Sequence, residues 1–332
     1  MMLPQFICPQ CRGDVETKAQ SYVCVDCNRS YPVVQGIADF RLLPDPYIGF
    51  DEEYRKAERL EEAASGRSFE DLLRFYWEIT PDVPRQAAER YVRYAVQGKE
   101  RGAACFETMD TSLRRRWQGN HLLEVGCGVG GLLLPAASRF GNVVGSDIAF
   151  RWLVIARKQL VEAGSDALLV CCAAEKLPFA SAHFDAVVGL HMLEHCQDPG
   201  AVIAESARVL KSGGYCLFPT PNRFSLGPEP CVRVWGVGFL PRRFMSRYVQ
   251  WMKGVPYRHI RLLSWFELRR FLSLAGFTEW SIDPHRFAAC ELHGATTGLR
   301  MLGRLYHLTL AIPGMAQVMR LLGPMHQVTA RK

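Results

Sequence analysis

Along residues 122–218 the apolar positions fall in short runs, and between those runs they recur with helical spacing. Residues 122–125 form a short apolar strand that runs straight into Gly126-Cys-Gly-Val-Gly-Gly131, and a helical pattern follows over 132–140. Residues 142–146 read as a second strand ending in Asp147, 150–162 as a helix and 167–172 as a third strand. A polar loop, 174–179, leads to a fourth strand over 184–189, then a helix over 199–210, a turn over 211–214 and a fifth strand over 215–218. Farther on, 263–274 is an amphipathic helix ended by Ala275-Gly276, 277–282 a sixth strand and 326–330 a seventh. Strands alternating with helices predict an α/β fold with a doubly wound parallel sheet.

Ahead of this block the pattern changes. Pro44 and Pro46 mark a linker, 51–64 is a charged helical stretch, and 69–79 places Leu72, Phe75, Tyr76 and Ile79 on one face. Pro81 and Pro84 interrupt it, and a longer helical pattern runs from Arg85 toward Trp117. The organisation expected is a small module over 1–40, a helical linker or cap over 41–118, and an α/β domain over 119–332 with insertions at 223–261 and 297–322.

Length and composition narrow the class. A chain of 332 residues suits about two domains, and its apolar share of 48% supports a sizeable core. Met1 is not followed by a basic-then-apolar leader, and 308–319 is short and contains Pro313, so neither a signal peptide nor a membrane span is expected. Twelve cysteines include scattered ones such as Cys105, Cys196, Cys216 and Cys290, which points to reduced thiols in a cytoplasmic compartment. The net charge is +7, and residues 223–261 alone carry eight cations against Glu229, also +7. Trp235, Phe239, Phe244, Tyr248, Trp251 and Tyr257 are interleaved with those cations. Such a surface suits a phosphorylated or other anionic small molecule, a nucleic acid or an anionic membrane, with a solvated basic lid as the plainer reading.

Two motifs carry chemistry. Cys8-Pro-Gln-Cys11 and Cys24-Val-Asp-Cys27 are C-x-x-C knuckles separated by 12 residues, and four thiolates so paired can close tetrahedrally on zinc. The segment is too small for a core of its own, so metal would supply much of its folding energy. Its few cations, Arg12, Lys18 and Arg29, are matched by Asp14, Glu16 and Asp26, which favours a scaffold or docking role over a grip on phosphates. The second motif is the glycine turn. Gly126, Gly128 and Gly131 satisfy a dinucleotide fingerprint, and Asp147 stands 21 residues after Gly126, where a ribose hydroxyl acceptor belongs. Glu124 discriminates between cofactors. Its carboxylate would repel an NAD pyrophosphate and attract the cationic amino group of S-adenosylmethionine (SAM).

Glu124-Val-Gly-Cys-Gly-Val-Gly130, Asp147, Ala174-Glu175-Lys-Leu-Pro-Phe179, Phe184-Asp185, Leu193-Glu-His195 and Leu210-Lys-Ser-Gly-Gly214 together resemble class I SAM-dependent methyltransferases, more narrowly the type 11 group, over about a third of the chain. The cysteine knuckles with Tyr31-Pro-Val-Val-Gln-Gly-Ile37 resemble zinc ribbons of the Trm112-like kind. The resemblance implies a Rossmann-like, doubly wound, seven-stranded sheet whose last strand inserts antiparallel. It implies SAM held by Glu124, Gly126, Gly128, Gly130, Asp147, Ala174, Glu175 and Leu190, with His191 or His195 as a candidate catalytic base. Structural zinc would be held by Cys8, Cys11, Cys24 and Cys27. His191-Met-Leu-Glu-His195 also matches a metalloprotease pattern formally, but its place after the fourth strand argues against that reading. In this family the helices before the domain cover the cofactor or substrate cleft; packing against the sheet is the alternative. Gly189-Leu-His-Met stands where amino-group enzymes acting on bases carry Asn/Asp-Pro-Pro-Tyr/Phe, which speaks against base methylation. The expected activity is methyl transfer to a small or lipid- or glycan-linked, anionic acceptor, with peripheral membrane contact possible. An RNA methyltransferase and a non-catalytic binding module are the alternatives.

Overall fold

The computed structural model describes residues 4–81, 83–114, 116–288, 291 and 297–332. Two compact units make up the chain, Met1–Ala186 and Val187–Lys332.

The first unit opens with β1 (Val15–Lys18), β2 (Ser21–Cys24), β3 (Ser30–Val34) and β4 (Ile37–Asp39), joined as successive antiparallel hairpins. Gln35 (φ 50°) and Gly36 (φ 76°) alone connect β3 to β4, and a two-residue hairpin turn of this hand needs left-handed backbone at both positions. Four helices follow: α1 (Phe50–Ala64), α2 (Phe69–Glu78), α3 (Arg85–Val96) and α4 (Gly98–Leu113). Ser68 starts α2 by accepting a hydrogen bond from the Asp71 amide, which satisfies one of the open donors of the first turn. Next come β5 (Gly119–Val125), α5 (Leu133–Ala136), β6 (Phe140–Asp147), α6 (Phe150–Glu162), β7 (Leu168–Cys171) and β8 (Phe184–Val188), which leads into the second unit.

Strands β5, β6 and β7 pair in parallel, and β4 of the N-terminal module joins the same sheet, parallel to β7, with Ala38 opposite Val170 and Asp39 opposite Cys171. Leu122, Leu123, Val144 and Val170 are all buried, as expected of strands covered on both faces. Helices α1 and α2 lie against α6, and α4 lies against α5. That last approach is close: a Cβ on Gly131 would stand 2.6 Å from the Gly98 Cα, and one on Gly102 would stand 2.7 Å from the Leu132 Cα. Helix α4 therefore seats directly on the glycine turn through its own two glycines.

The second unit holds a 3-10 turn (Leu193–His195), α7 (Pro199–Val209), β9 (Leu210–Pro221), a second 3-10 turn (Val237–Phe239), α8 (Arg242–Lys253), α9 (Trp265–Leu274), β10 (Glu279–Pro284), α10 (Thr297–Leu310), α11 (Met315–Leu322) and β11 (Met325–Arg331). As expected, β11 is the antiparallel strand, pairing with β9 on one side and β10 on the other. A capping box between Ser264 and Glu267 fixes the start of α9.

Two expectations are corrected. The helix expected over 132–140 is only the turn Leu133–Ala136, because Phe140 is drawn into β6, where its ring meets Phe106 and Trp117 at 6.2 and 6.1 Å. The turn expected over 211–214 is the first part of β9. The Gly213 amide donates to the Lys332 carbonyl and the Lys332 amide to that of Gly214, so the chain's last residue supplies the pairing that keeps this stretch extended. Cys290 lies outside the described residues. Among the described residues no helix is long and apolar enough to cross a membrane, and 308–319 is divided between α10 and α11.

Candidate functional site

Each C-x-x-C knuckle closes the same turn. The Arg12 amide donates to the Cys8 carbonyl at 2.8 Å and the Asn28 amide to that of Cys24 at 3.1 Å. Arg12 and Asn28 are both left-handed, with φ of 69° and 57°. The turns bring four Sγ atoms within 4.8 Å of one another, Cys11 to Cys24 at 3.4 Å and Cys8 to Cys27 at 3.7 Å. Sulfurs bound at about 2.3 Å around a tetrahedral zinc stand about 3.8 Å apart, whereas a disulfide needs about 2.05 Å. The cysteines thus fit a structural zinc ion. Burial alone would raise the Cys8 thiol, but the Tyr31 hydroxyl at 3.0 Å and the Cys11 and Gln10 amides outweigh it and lower its pKa to about 6.

This module does not stand apart. Phe6 packs among Tyr22, Phe40 and Phe179 at centroid distances of 5.1, 5.0 and 5.8 Å. The Ile7 amide donates to the Pro178 carbonyl at 2.9 Å, the Ala180 amide to that of Gln5 at 3.0 Å, and Arg12 Nη1 to that of Leu177 at 3.3 Å. The ribbon thus grips 177–180, the end of the polar loop whose Ala174 and Glu175 are expected to hold the cofactor. Ala174 and Glu175 form the turn just before it, both half-buried.

At the end of β5, Gly126, Gly128 and Gly130 have φ of 71°, 51° and 84°. That backbone is left-handed, where a side chain is strained. The amides of Gly126 and Cys127 donate to the Ser146 carbonyl at 2.7 and 2.9 Å, which folds the turn back onto β6. Asp147 completes it by accepting from the Gly128 and Ala149 amides, each at 2.8 Å. Burial raises the Asp147 pKa to about 6 against the pull of those amides, so it is ionised at neutral pH. Glu124 is buried, its Oε2 has no hydrogen-bond partner, and burial together with Asp147 pushes its pKa up. An orphaned carboxylate oxygen in such a place is costly unless a ligand supplies a donor. The ammonium group of SAM is such a donor, and space is open over Gly128, where a Cβ would meet nothing within 4 Å. The residues present fit the cofactor.

A buried ionic network, unseen in the sequence, lies behind Asp147. Arg41 grips Asp39 with Nε and Nη2 and donates through Nη1 to the Ile148 carbonyl at 3.2 Å. Arg151 on α6 bonds Asp45 and Glu53 at 2.9 and 2.8 Å and reaches the Tyr76 hydroxyl at 3.2 Å. Tyr54 donates to Asp39 at 2.6 Å. The network ties β4, the linker, α1 and α6 to the residue that follows Asp147.

In the second unit, Leu190 is half-buried after β8, and His191 holds a left-handed backbone (φ 52°), its amide donating to the Pro219 carbonyl at 3.1 Å. His195 ends the 3-10 turn in an exposed position. Between them Glu194 is buried and accepts from the Thr220 hydroxyl at 3.2 Å, and burial raises its pKa to about 7. Glu229 and Tyr257, both in its electrostatic surroundings, are buried with Glu229 Oε1 and the Tyr257 hydroxyl unpartnered. Of the segment's cations, Arg223 and Arg242 donate to the backbone carbonyls of Gly238 and Leu262. Arg243, Arg247, Lys253 and Arg258 are exposed.

Residues 123–218 match the family described as "Methyltransferase domain", type 11. That match places a methyltransferase domain of this family over residues 123–218. Among curated proteins, the ubiquinone biosynthesis O-methyltransferase of Idiomarina loihiensis is 35% identical over 50% of this chain and 64% of its own length. That of Thiobacillus denitrificans is 40% identical over 33% of this chain and 51% of its own. The chain thus spans less than two thirds of the length of either relative. Among solved structures, a SAM-dependent methyltransferase from Thermotoga maritima is 19% identical, covering 74% of this chain and 95% of its own, with a TM-score of 0.44.

Of the residues expected to hold the methyl donor, the methyltransferase domain brings Glu124, Gly126, Gly128, Gly130 and Asp147 together at the ends of β5 and β6. Sequence reasoning missed Glu194, since attention fell on the flanking histidines. The available signal was a carboxylate next to Leu193 in a chain segment leaving an apolar strand.

Proposed function

We propose that the chain transfers the methyl group of SAM to a hydroxyl of a small or lipid-linked anionic acceptor. The observation that carries the reading is the buried Glu124, whose Oε2 has no partner, beside a left-handed glycine turn closed by Asp147. Bound SAM supplies a methyl group on a sulfonium with a good leaving group, so the protein's task is mainly alignment and proton removal. Glu124 would accept from the donor's ammonium group and Asp147 from its ribose. Glu194, flanked by the candidate bases His191 and His195, would take the acceptor's proton, with Thr220 holding its carboxylate. The exposed Arg243, Arg247, Lys253 and Arg258 favour an anionic acceptor. The names of the curated relatives support a hydroxyl acceptor. A cytoplasmic setting belongs to the same reading and rests on the irregular scatter of the cysteines.

Calorimetry is expected to show SAM and S-adenosylhomocysteine binding and no NAD binding. Asp147→Ala should weaken S-adenosylhomocysteine by ~1–3 kcal/mol, the worth of hydrogen bonds to a charged acceptor. Tight NAD binding without a SAM signal would overturn the proposal.

The base makes a separate prediction. Glu194 must be ionised to accept a proton, so kcat should rise with pH through the carboxyl's pKa of about 7 and level off above it. Glu194→Gln should remove that limb and lower kcat by roughly 100-fold or more, with S-adenosylhomocysteine affinity unchanged. A variant that keeps the wild-type pH profile assigns the proton to another group.

A further inference from the structure

Helix α10 is apolar on two opposite sides. Gly303 and Leu310 are buried, and the Tyr306 hydroxyl on that side donates to the His285 carbonyl at 3.0 Å, fixing the helix to the unit. Met301, Leu305 and Leu308 recur one turn apart on the other side and are 69%, 57% and 67% exposed. A helix that is hydrophobic all round normally has its second side covered. In α11, Val318 and Leu321 are exposed as well.

The charge around this face points to what covers it. Residues 297–322 contain no Asp or Glu and carry Arg300, Arg304 and Arg320. Arg320 is paired with Asp283 at 2.8 Å, whereas Arg300 and Arg304 stand exposed beside the apolar stripe. Contacts within the unit connect it to α8. The Leu226 amide donates to the Leu322 carbonyl at 3.0 Å, Phe224 meets Phe239 at 5.6 Å, and the Tyr248 hydroxyl donates to the Trp235 carbonyl at 3.0 Å. Helix α8 repeats the pattern: Met245 and Val249 are buried, Trp251 is 79% exposed, and Arg243, Arg247 and Lys253 are exposed with no acid in the helix. Beside it, Ser246, Arg247, Gln250, Trp251, Pro256 and Arg258 line a groove. Exposed aliphatic and Trp side chains amid cations, on helices too short to span, are the make-up of an interfacial anchor on an anionic bilayer. The same face of a second copy of this chain would set these Arg side chains against one another instead of against a negative surface.

We propose that α8 and the α10–α11 pair dock the protein on an anionic lipid surface. This deepens the reading of a lipid-linked acceptor and rests on it for its purpose, though the docking itself does not need catalysis. The test is co-sedimentation of the full chain with vesicles of phosphatidylcholine alone and of equimolar phosphatidylcholine and phosphatidylglycerol. Binding should be strong only to the mixed vesicles and should fall as salt rises, because exposed charges are screened beyond a Debye length. Leu305→Asp with Leu308→Asp, at exposed positions, should weaken it by at least about tenfold, two side chains' worth of burial. Arg300→Gln with Arg304→Gln should weaken it by roughly 30-fold, about fivefold for each cation near an anionic surface. S-adenosylhomocysteine affinity, measured in parallel, should not move in either variant; its loss in the wild type would instead sink the functional reading and leave the docking claim standing. Equal binding to neutral vesicles, or full binding by the Leu305→Asp and Leu308→Asp variant, overturns the proposal. So does a chain that ignores vesicles but self-associates until those leucines are replaced, since the face is then an interface between copies.

Discussion

Removing zinc from the ribbon, by chelation or by Cys24→Ser, is expected to lower S-adenosylhomocysteine affinity by tenfold or more although none of the four ribbon cysteines lies at the glycine turn. Structural zinc in so small a module supplies its folding free energy, about 10–16 kcal/mol at neutral pH, so metal loss should melt the ribbon rather than loosen it. Melting would release the Phe6 ring from Phe179, the main-chain bonds from Ile7 to Pro178 and from Ala180 to Gln5, and the Arg12 contact with Leu177. The loop at 174–179 would then be ordered only when ligand binds. Ordering one residue's backbone costs about 1–2 kcal/mol, and about 1.4 kcal/mol is already a factor of ten in affinity. The measurement pairs metal content with calorimetry on the same protein. Metal-free chain that retains its affinity would refute the coupling, and wild-type protein devoid of metal would refute the zinc assignment itself.

Arg151→Met should cost about 3–5 kcal/mol, because it takes away the guanidinium that pairs the buried carboxylates of Asp45 and Glu53, leaving Arg41 at 3.9 Å as the cation beside Glu53. With roughly 5–15 kcal/mol of total stability to draw on, the variant should unfold at markedly lower temperature or express poorly. The cost arises mainly from the uncompensated charge. Adding Glu53→Gln to Arg151→Met should therefore recover part of the loss, and a thermal melt of both variants decides it. If the double variant is no more stable than the single one, the guanidinium matters through its contact with Tyr76 instead.

Much of the fold was legible because its strands are continuous apolar runs between glycine and proline punctuation. Helix α6 lies where the periodicity places it, and the four cysteines and the Glu124–Gly130 turn announce themselves by spacing. What stayed hidden depends on partners distant in sequence. Asp39, Arg41, Asp45, Glu53 and Arg151 share no spacing rule, and only the fold makes them one network. A charged residue within an apolar run, as in Ile37-Ala-Asp39-Phe-Arg41, was the one clue. The shortness of α5 and the extension of β9 likewise depend on Phe140 and on Lys332, residues outside the local pattern. Glu194 was overlooked for another reason: its sequence neighbours are titratable, and burial, which sets its proton affinity, is not written in a tripeptide.

The pairing of β4 with β7 bears on how the protein behaves in a crowded solution. Strand β7 is Leu-Leu-Val-Cys, short, uncharged and apolar. At the rim of a parallel sheet it would offer open amides and carbonyls to any passing strand, the standard route to aggregation. The hairpins of the ribbon move the rim four strands outward, to β1, whose Glu16, Thr17 and Lys18 are exposed, the charges of Glu16 and Lys18 discouraging further strand addition. The cysteine cluster thereby guards solubility. Metal-free protein is therefore expected to aggregate more readily than the zinc-loaded chain.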